Sequence, residues 1–148
     1  MKVLIIYHSE HHGNTKKIAK AMAEKVSADI LKAADANLNK FGKYDIVGFG
    51  SGVYNGKLHK ELSEVLSRLP KQDDKKAFIF STTGSKTYSA MAHEWFRLML
   101  EEKSFYITGE FSCLGFDTAL TKEGINKDRP NKQDIRNAEE FIVNIIKK

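Results

Sequence analysis

Short apolar runs alternate with amphipathic stretches along the whole chain, and this alternation constrains the fold most strongly. Five runs rich in apolar residues predict strands: Val3 to Tyr7, Asp29 to Lys32, Ile46 to Phe49, Ala77 to Phe80 and Tyr106 to Leu114. Strands that are apolar throughout are typical of a parallel sheet covered on both faces. The sequence therefore predicts an α/β fold with a doubly wound, five-stranded parallel sheet in the order 2-1-3-4-5 and helices on both faces.

The stretches between and after these runs carry apolar residues at helical spacing. Pro70 ends the second helix, and Asn131 is the expected N-cap of the last one. The predicted buried faces are Ile18, Ala21, Met22 and Val26; Leu62, Val65, Leu66 and Leu69; Met91, Trp95, Leu98 and Met99; and Ile135, Ala138, Phe141, Ile142, Ile145 and Ile146.

Size, charge and cysteine content limit the classes of function. The 148 residues fit one domain, 1–148, that can bury a proper core. Cys113 is the single cysteine, which excludes an internal disulfide and favours a reducing, cytoplasmic location. No stretch approaches membrane-spanning length, and the net charge of +5 comes from dispersed lysines without a dense basic block. We expect a monomer that binds neither nucleic acid nor membrane.

In a doubly wound sheet, ligands bind at the carboxyl ends of the strands, where the strand order reverses. The segment after the first strand runs from Ser9 to Thr15 and opens the first helix. A helix N-terminus with nearby hydroxyl, amide and imidazole groups attracts a phosphate. The competing interpretation is an ordinary tight turn capped by Asn14 or Thr15.

Two further segments follow neighbouring strands at the same edge of the sheet. After the third strand, a glycine-rich loop carries Tyr54, which can stack on a flat ring or remain a half-exposed surface tyrosine. After the fourth strand, hydroxyls and amides from Ser81 to Gly84 can bond the polar edge of a heterocycle. The alternative is a turn that caps the third helix, with Tyr88 in that helix.

Together the three segments suit a mononucleotide with a planar ring. The candidate cofactor-binding residues are Ser9, His11, His12, Gly13, Asn14, Thr15, Ser51, Gly52, Val53, Tyr54, Asn55, Gly56, Ser81, Thr82, Thr83, Gly84 and Tyr88. We assign no catalytic residue. We expect no metal site either, because no cysteine or carboxylate cluster with ligand spacing accompanies His8, His11 and His12. Cys113 is interpreted as an inert core thiol.

With these segments the chain resembles a short-chain flavodoxin, and the resemblance covers nearly its whole length. The run from Lys2 to Tyr7 followed by Gly13-Asn14-Thr15 resembles the family's first strand and phosphate loop, with His12 where a threonine is usual and one residue more in the loop. The segments around Tyr54 and Gly84 resemble the two loops that flank the flavin ring. The resemblance implies flavin mononucleotide (FMN) as the cofactor.

The function that the resemblance implies is low-potential, one-electron transfer between redox protein partners. The positive charge of this chain, in a family that is usually acidic, favours acidic partners. The alternative is a small FMN-dependent reductase acting on a quinone or a similar acceptor. A phosphate-receiving signalling domain of the same strand order would need an acidic cluster after the first strand, where this chain has His8-Ser9-Glu10.

Overall fold

The computed structural model describes residues 1–10, 12–119 and 121–147. It contains six strands and four α-helices, joined in part by two short 3-10 helices at Ala33–Asp35 and Leu38–Lys43. The strands are β1 (Val3–Tyr7), β2 (Asp29–Lys32), β3 (Ile46–Tyr54), β4 (Lys57–Leu58), β5 (Lys76–Thr83) and β6 (Tyr106–Leu114). The helices are α1 (Asn14–Val26), α2 (Lys60–Arg68), α3 (Lys86–Glu102) and α4 (Lys132–Lys147).

The sheet has the topology predicted from the sequence. Its strand order is β2-β1-β3-β5-β6, all parallel, and the two-residue β4 pairs antiparallel with the end of β3. Without β4, this is the order 2-1-3-4-5, so the predicted doubly wound fold is confirmed. The order reverses between β1 and β3, which places the crevice for a ligand at their carboxyl ends.

Two hydrophobic cores lie on opposite faces of the sheet, as alternation along the strands requires. In β1, Leu4 and Ile6 pack toward α2 and α3, whereas Val3, Ile5 and Tyr7 pack toward α1 and α4. Because every residue of β1 is buried, the strand is apolar throughout. No helix among the described residues is both long and apolar enough to cross a membrane.

The third helix is rotated relative to the face predicted from the sequence. Met91 and Leu98 are 53% and 58% exposed, and Trp95 is only partly buried. The face on the sheet is instead formed by Ser89, Ala92, His93, Phe96 and Leu100. Polar Ser89 and His93 can be buried because β5 and β6 supply hydrogen-bond partners for them. The prediction counted only apolar residues, so Trp95 and Met99 do pack against the core but Met91 and Leu98 do not.

The predicted ends of β3 and β5 were too early. The Gly-rich segment after Phe49 continues as strand through Tyr54, because it pairs with β5 as far as Gly52 and with β4 beyond it. Asn55 and Gly56 then form a two-residue turn with φ of 52° and 73°. Positive φ at both central positions is what a tight hairpin turn requires, which accounts for an Asn-Gly pair here.

Candidate functional site

A cavity of about 340 Å³ opens at the carboxyl ends of the central strands. Its volume lies at the lower end of the range for small-molecule sites, roughly 300–1,000 Å³. It is lined by Glu10, His12, Asn14, Thr15, Gly52, Val53, Tyr54, Thr82, Thr83, Gly84 and residues 115–119. All three segments identified in the sequence therefore contribute to one cavity.

The first wall is the start of α1. Gly13 is the N-cap residue, with φ 69°, and provides no side chain to cap the helix. Thr15 is buried, and its hydroxyl lies 2.7 Å from the hydroxyl of Thr82 at the end of β5. Ser9 lies outside the lining and accepts a hydrogen bond from the Lys16 N–H at 3.2 Å. His11 lies outside the described residues.

The second wall is the end of β3. Tyr54 folds back along its own strand, so that its hydroxyl lies close to Gly52. Burial, reinforced by nearby Glu10 and Glu61, raises the pKa of Tyr54 to about 12, so the phenol stays protonated at neutral pH. Ser51 is fully buried, and Asn55 and Gly56 occupy the turn beyond the cavity.

The third wall comprises Thr82, Thr83 and Gly84, but the structure directs Ser81 elsewhere. The Ser81 hydroxyl lies 2.7 Å from His93 Nε2 and 2.6 Å from the Ser89 hydroxyl, both on α3. Tyr88 is the third residue of α3, is 57% exposed and does not line the cavity. Five residues were expected from this part of the chain, and three of them, Thr82, Thr83 and Gly84, line the cavity.

A fourth wall, which was not predicted from the sequence, is formed by the segment after β6. Asn14 Nδ2 donates to the Phe116 carbonyl at 2.8 Å, and the His12 ring stacks on the Phe116 ring at 4.1 Å. His12 Nε2 also lies 3.3 Å from the Thr118 hydroxyl. Its position in the sequence could have indicated this wall, because Gly115-Phe116-Asp117 follows a strand at the same edge of the sheet.

A cluster of two histidines and two glutamates borders the cavity beneath Tyr54. His8, Glu10, His59 and Glu61 are brought together from the segments that follow β1 and β4. The sequence did not predict this cluster, because residues near 8 and near 59 meet only in the folded sheet. Glu10, in the first of the three segments, was not among the residues predicted for the site.

Cys113 is buried against the α1 and α4 core, as expected. Burial raises the pKa of its thiol to about 12, so the reactive thiolate is not populated at neutral pH. It therefore contributes packing rather than chemistry.

Comparison with known proteins identifies the family. The family model described as a flavodoxin domain matches residues 4–104. An uncharacterized protein of Methanocaldococcus jannaschii is 45% identical over 150 residues, and the match covers 99% of each chain. This chain therefore belongs to the flavodoxin family, as the resemblance of its loops predicted.

Solved structures confirm the fold. Oxidised flavodoxin 2 from Bacillus cereus is similar with a TM-score of 0.75 at 17% identity, covering 99% of each chain. A flavodoxin from the domain Archaea is similar with a TM-score of 0.73 at 15% identity, covering 99% of this chain and 97% of that one. Flavodoxins bind FMN, which confirms the cofactor predicted from the sequence.

The polar groups of the cavity fit this cofactor. Asn14 Oδ1 is the one side-chain polar atom among the described residues that is buried without a hydrogen-bond partner. A buried acceptor left unpaired costs about 1–3 kcal/mol, so a donor from a ligand is favoured there. The ribityl hydroxyls of FMN are such donors, and the adjacent start of α1 suits the phosphate.

Proposed function

We propose that this protein is an electron carrier that holds one FMN in the cavity at the ends of β1, β3 and β5. The observation that carries the proposal is the convergence of a helix N-terminus, an aromatic wall and a hydroxyl-rich wall on one cavity around the unpaired Asn14 Oδ1. FMN supplies one-electron and hydride chemistry when bound, and the protein sets its orientation and electrostatics.

Each wall has its own part in holding the cofactor. The phosphate would bind the N–H groups and side chains of residues 12–15, with Ser9 and His11 in the same loop. Tyr54 would stack on the flavin ring. Thr82, Thr83 and Gly84 would bond the polar edge of the ring. We further propose that the carrier works as a cytoplasmic monomer and serves redox protein partners.

Two measurements test the proposal. Purified protein should absorb in the visible as a flavin and should release FMN, not FAD, on denaturation. Oxidation of NADH or NADPH with menadione as acceptor should be negligible without an added reductase. Rapid oxidation without one would instead establish the quinone-reductase alternative, and a protein that takes up no FMN would contradict both.

Loss of the aromatic wall should weaken cofactor binding. Tyr54→Ala is expected to reduce FMN affinity by about 1 to 2 kcal/mol, since a stacked aromatic face contributes beyond its buried area. Fluorescence titration of the apoprotein measures this change. Tyr106→Ala is the control, because Tyr106 is an exposed tyrosine at the opposite end of the sheet. Equal affinities of Tyr54→Ala and wild type would exclude the stack.

Three lysines near the cavity should favour acidic partners and make the flavin easier to reduce. Lys57, Lys60 and Lys86 are exposed beside the loops of the cavity. Each cation stabilises a nearby anion by roughly a few tenths to 1 kcal/mol at exposed range, less as salt rises. Reversing all three to glutamate should make the flavin potential more negative, and the shift should shrink at high salt. Potentiometry at two ionic strengths checks this, and an unchanged potential would show that these lysines have no part in tuning.

A further inference from the structure

The histidine–glutamate cluster beneath Tyr54 has two imidazole rings in face-to-face contact. The rings of His8 and His59 stack with centroids 3.5 Å apart and planes 7° apart. Both side chains are largely buried, at 15% and 14% exposure. His8 follows β1, and His59 follows β4, which pairs with the end of β3.

Hydrogen bonds fix where the protons of the pair lie. His59 Nδ1 accepts the Glu61 N–H at 3.1 Å, so the His59 proton is on Nε2, which lies 3.2 Å from Glu10 Oε1. His8 has a carboxylate oxygen 2.7 Å from each nitrogen, Glu61 at Nδ1 and Glu10 at Nε2. Because ionised carboxylates only accept, both nitrogens of His8 face acceptors.

This arrangement is hydrogen-bonded rather than ready for a metal ion. The ligand atoms of His8, Glu10 and His59 lie within 4.8 Å of one another, which is close enough for a shared ion. However, Glu10 Oε1 already occupies the point that both Nε2 atoms face, 2.7 Å from His8 and 3.2 Å from His59. His59 Nε2 also carries the proton that a ligand nitrogen must lack.

The pair touches the cofactor cavity through Tyr54, Glu10 and β3. The Tyr54 ring meets His59 edge-on, with centroids 5.1 Å apart and planes at 79°, and meets His8 at 6.4 Å and 74°. Glu10, which both rings bond, lines the cavity. The backbone N–H of His59 donates to the Ser51 hydroxyl at 2.9 Å, and this bond holds the end of β3 against the start of α2.

We propose that the stacked His8–His59 pair positions the aromatic wall of the cofactor cavity and thereby sets its affinity for the flavin ring. The edge-on contacts pack the Tyr54 ring against both imidazole rings, and the bonds to Glu10 hold the neighbouring wall. The His8–His59 pair acts through Tyr54 and does not touch the flavin ring itself. The proposal rests on the proposed function, since it assigns the cavity to a flavin.

A double-mutant cycle tests this dependence. His59→Asn removes the ring but keeps an N-cap for α2, because asparagine is a favoured N-cap residue. It should weaken FMN and riboflavin about equally, by about fivefold, since the effect is on the ring and not on the phosphate. In a Tyr54→Ala background the same substitution should change affinity less than about twofold, because the Tyr54 ring through which His59 acts is already absent. Glu64→Gln, an exposed change on α2, is the matched control.

A pH profile separates positioning from a purely structural role. Burial, and next the charge of His8, lower the pKa of His59. When His59 does take up a proton at acid pH, Nδ1 can no longer accept the Glu61 N–H, and the bond that fixes its ring is lost. The groups that face it are His8 and Glu10 after β1, Ser51 and Tyr54 on β3, and Lys60 and Glu61 on α2.

Riboflavin affinity of wild type should therefore fall at acid pH, below the ordinary histidine pKa of about 6.5, and His59→Asn should abolish this fall. Riboflavin is used because the phosphate of FMN titrates near pH 6. Additive effects in the cycle, or the same pH profile in wild type and His59→Asn, would overturn the proposal. Wild type that binds neither flavin would overturn the proposed function itself, which is a different result.

Discussion

Gly48→Val is expected to destabilise the fold by about 3 kcal/mol or more, because an added side chain at this point overpacks the core. A Cβ at Gly48 would overlap the end of the Phe78 ring from the neighbouring strand. Phe78 is fully buried and packs against Phe80 and Phe141, so its ring has no free space to occupy. Urea denaturation followed by circular dichroism measures the loss.

Gly42→Val is the matched control for this prediction. Gly42 has open space where a side chain would be added and no positive φ, so the same substitution should change stability by less than about 0.5 kcal/mol. Phe78→Leu combined with Gly48→Val should recover part of the loss by freeing volume. Equal stabilities of Gly48→Val and Gly42→Val would contradict the tight contact.

The first strand shows where prediction from the sequence succeeds, because its buried residues are also apolar. Val3–Tyr7 was predicted with its observed bounds because an apolar run ends at polar His8. The end of β3 was missed because its pairing with β4 depends on a turn at Asn55-Gly56, and glycine-rich polar residues otherwise resemble a loop. Local composition cannot indicate a partner strand.

The location of the site was predictable from topology, but the direction of each side chain was not. Segments after β1, β3 and β5 must meet at one edge of a parallel sheet, and they do. Successive residues of a strand face opposite sides, however. Thr82 therefore reaches Thr15 at the cavity, while Ser81 reaches His93 on α3. The Glu10 contact with His59 depends on the same long-range geometry.

The Ser81–His93 contact is the buried part of a polar network that joins α3 to β5 and β6. His93 is 5% exposed, with Nε2 2.7 Å from the Ser81 hydroxyl and Nδ1 3.1 Å from Glu110. Glu110 accepts from Nδ1–H, so Nε2 is left to accept from Ser81. Arg97 bonds the same carboxylate at 2.8 Å through two nitrogens. The network explains why α3 places a histidine on the sheet.

Replacing His93 by leucine should therefore destabilise the protein by about 1 to 3 kcal/mol at pH 7, since the buried Ser81 hydroxyl loses a partner, whereas exposed Glu110 keeps Arg97. Burial lowers the pKa of His93, so the unfolded chain takes up a proton near pH 6.5 that the folded chain does not. Wild-type stability should consequently fall as pH drops below about 6.5. His59 contributes with the same sign, so His93→Leu should show a shallower pH dependence rather than none. Urea denaturation at several pH values between neutral and acid measures both effects, and parallel pH profiles for wild type and variant would contradict the neutral, buried His93.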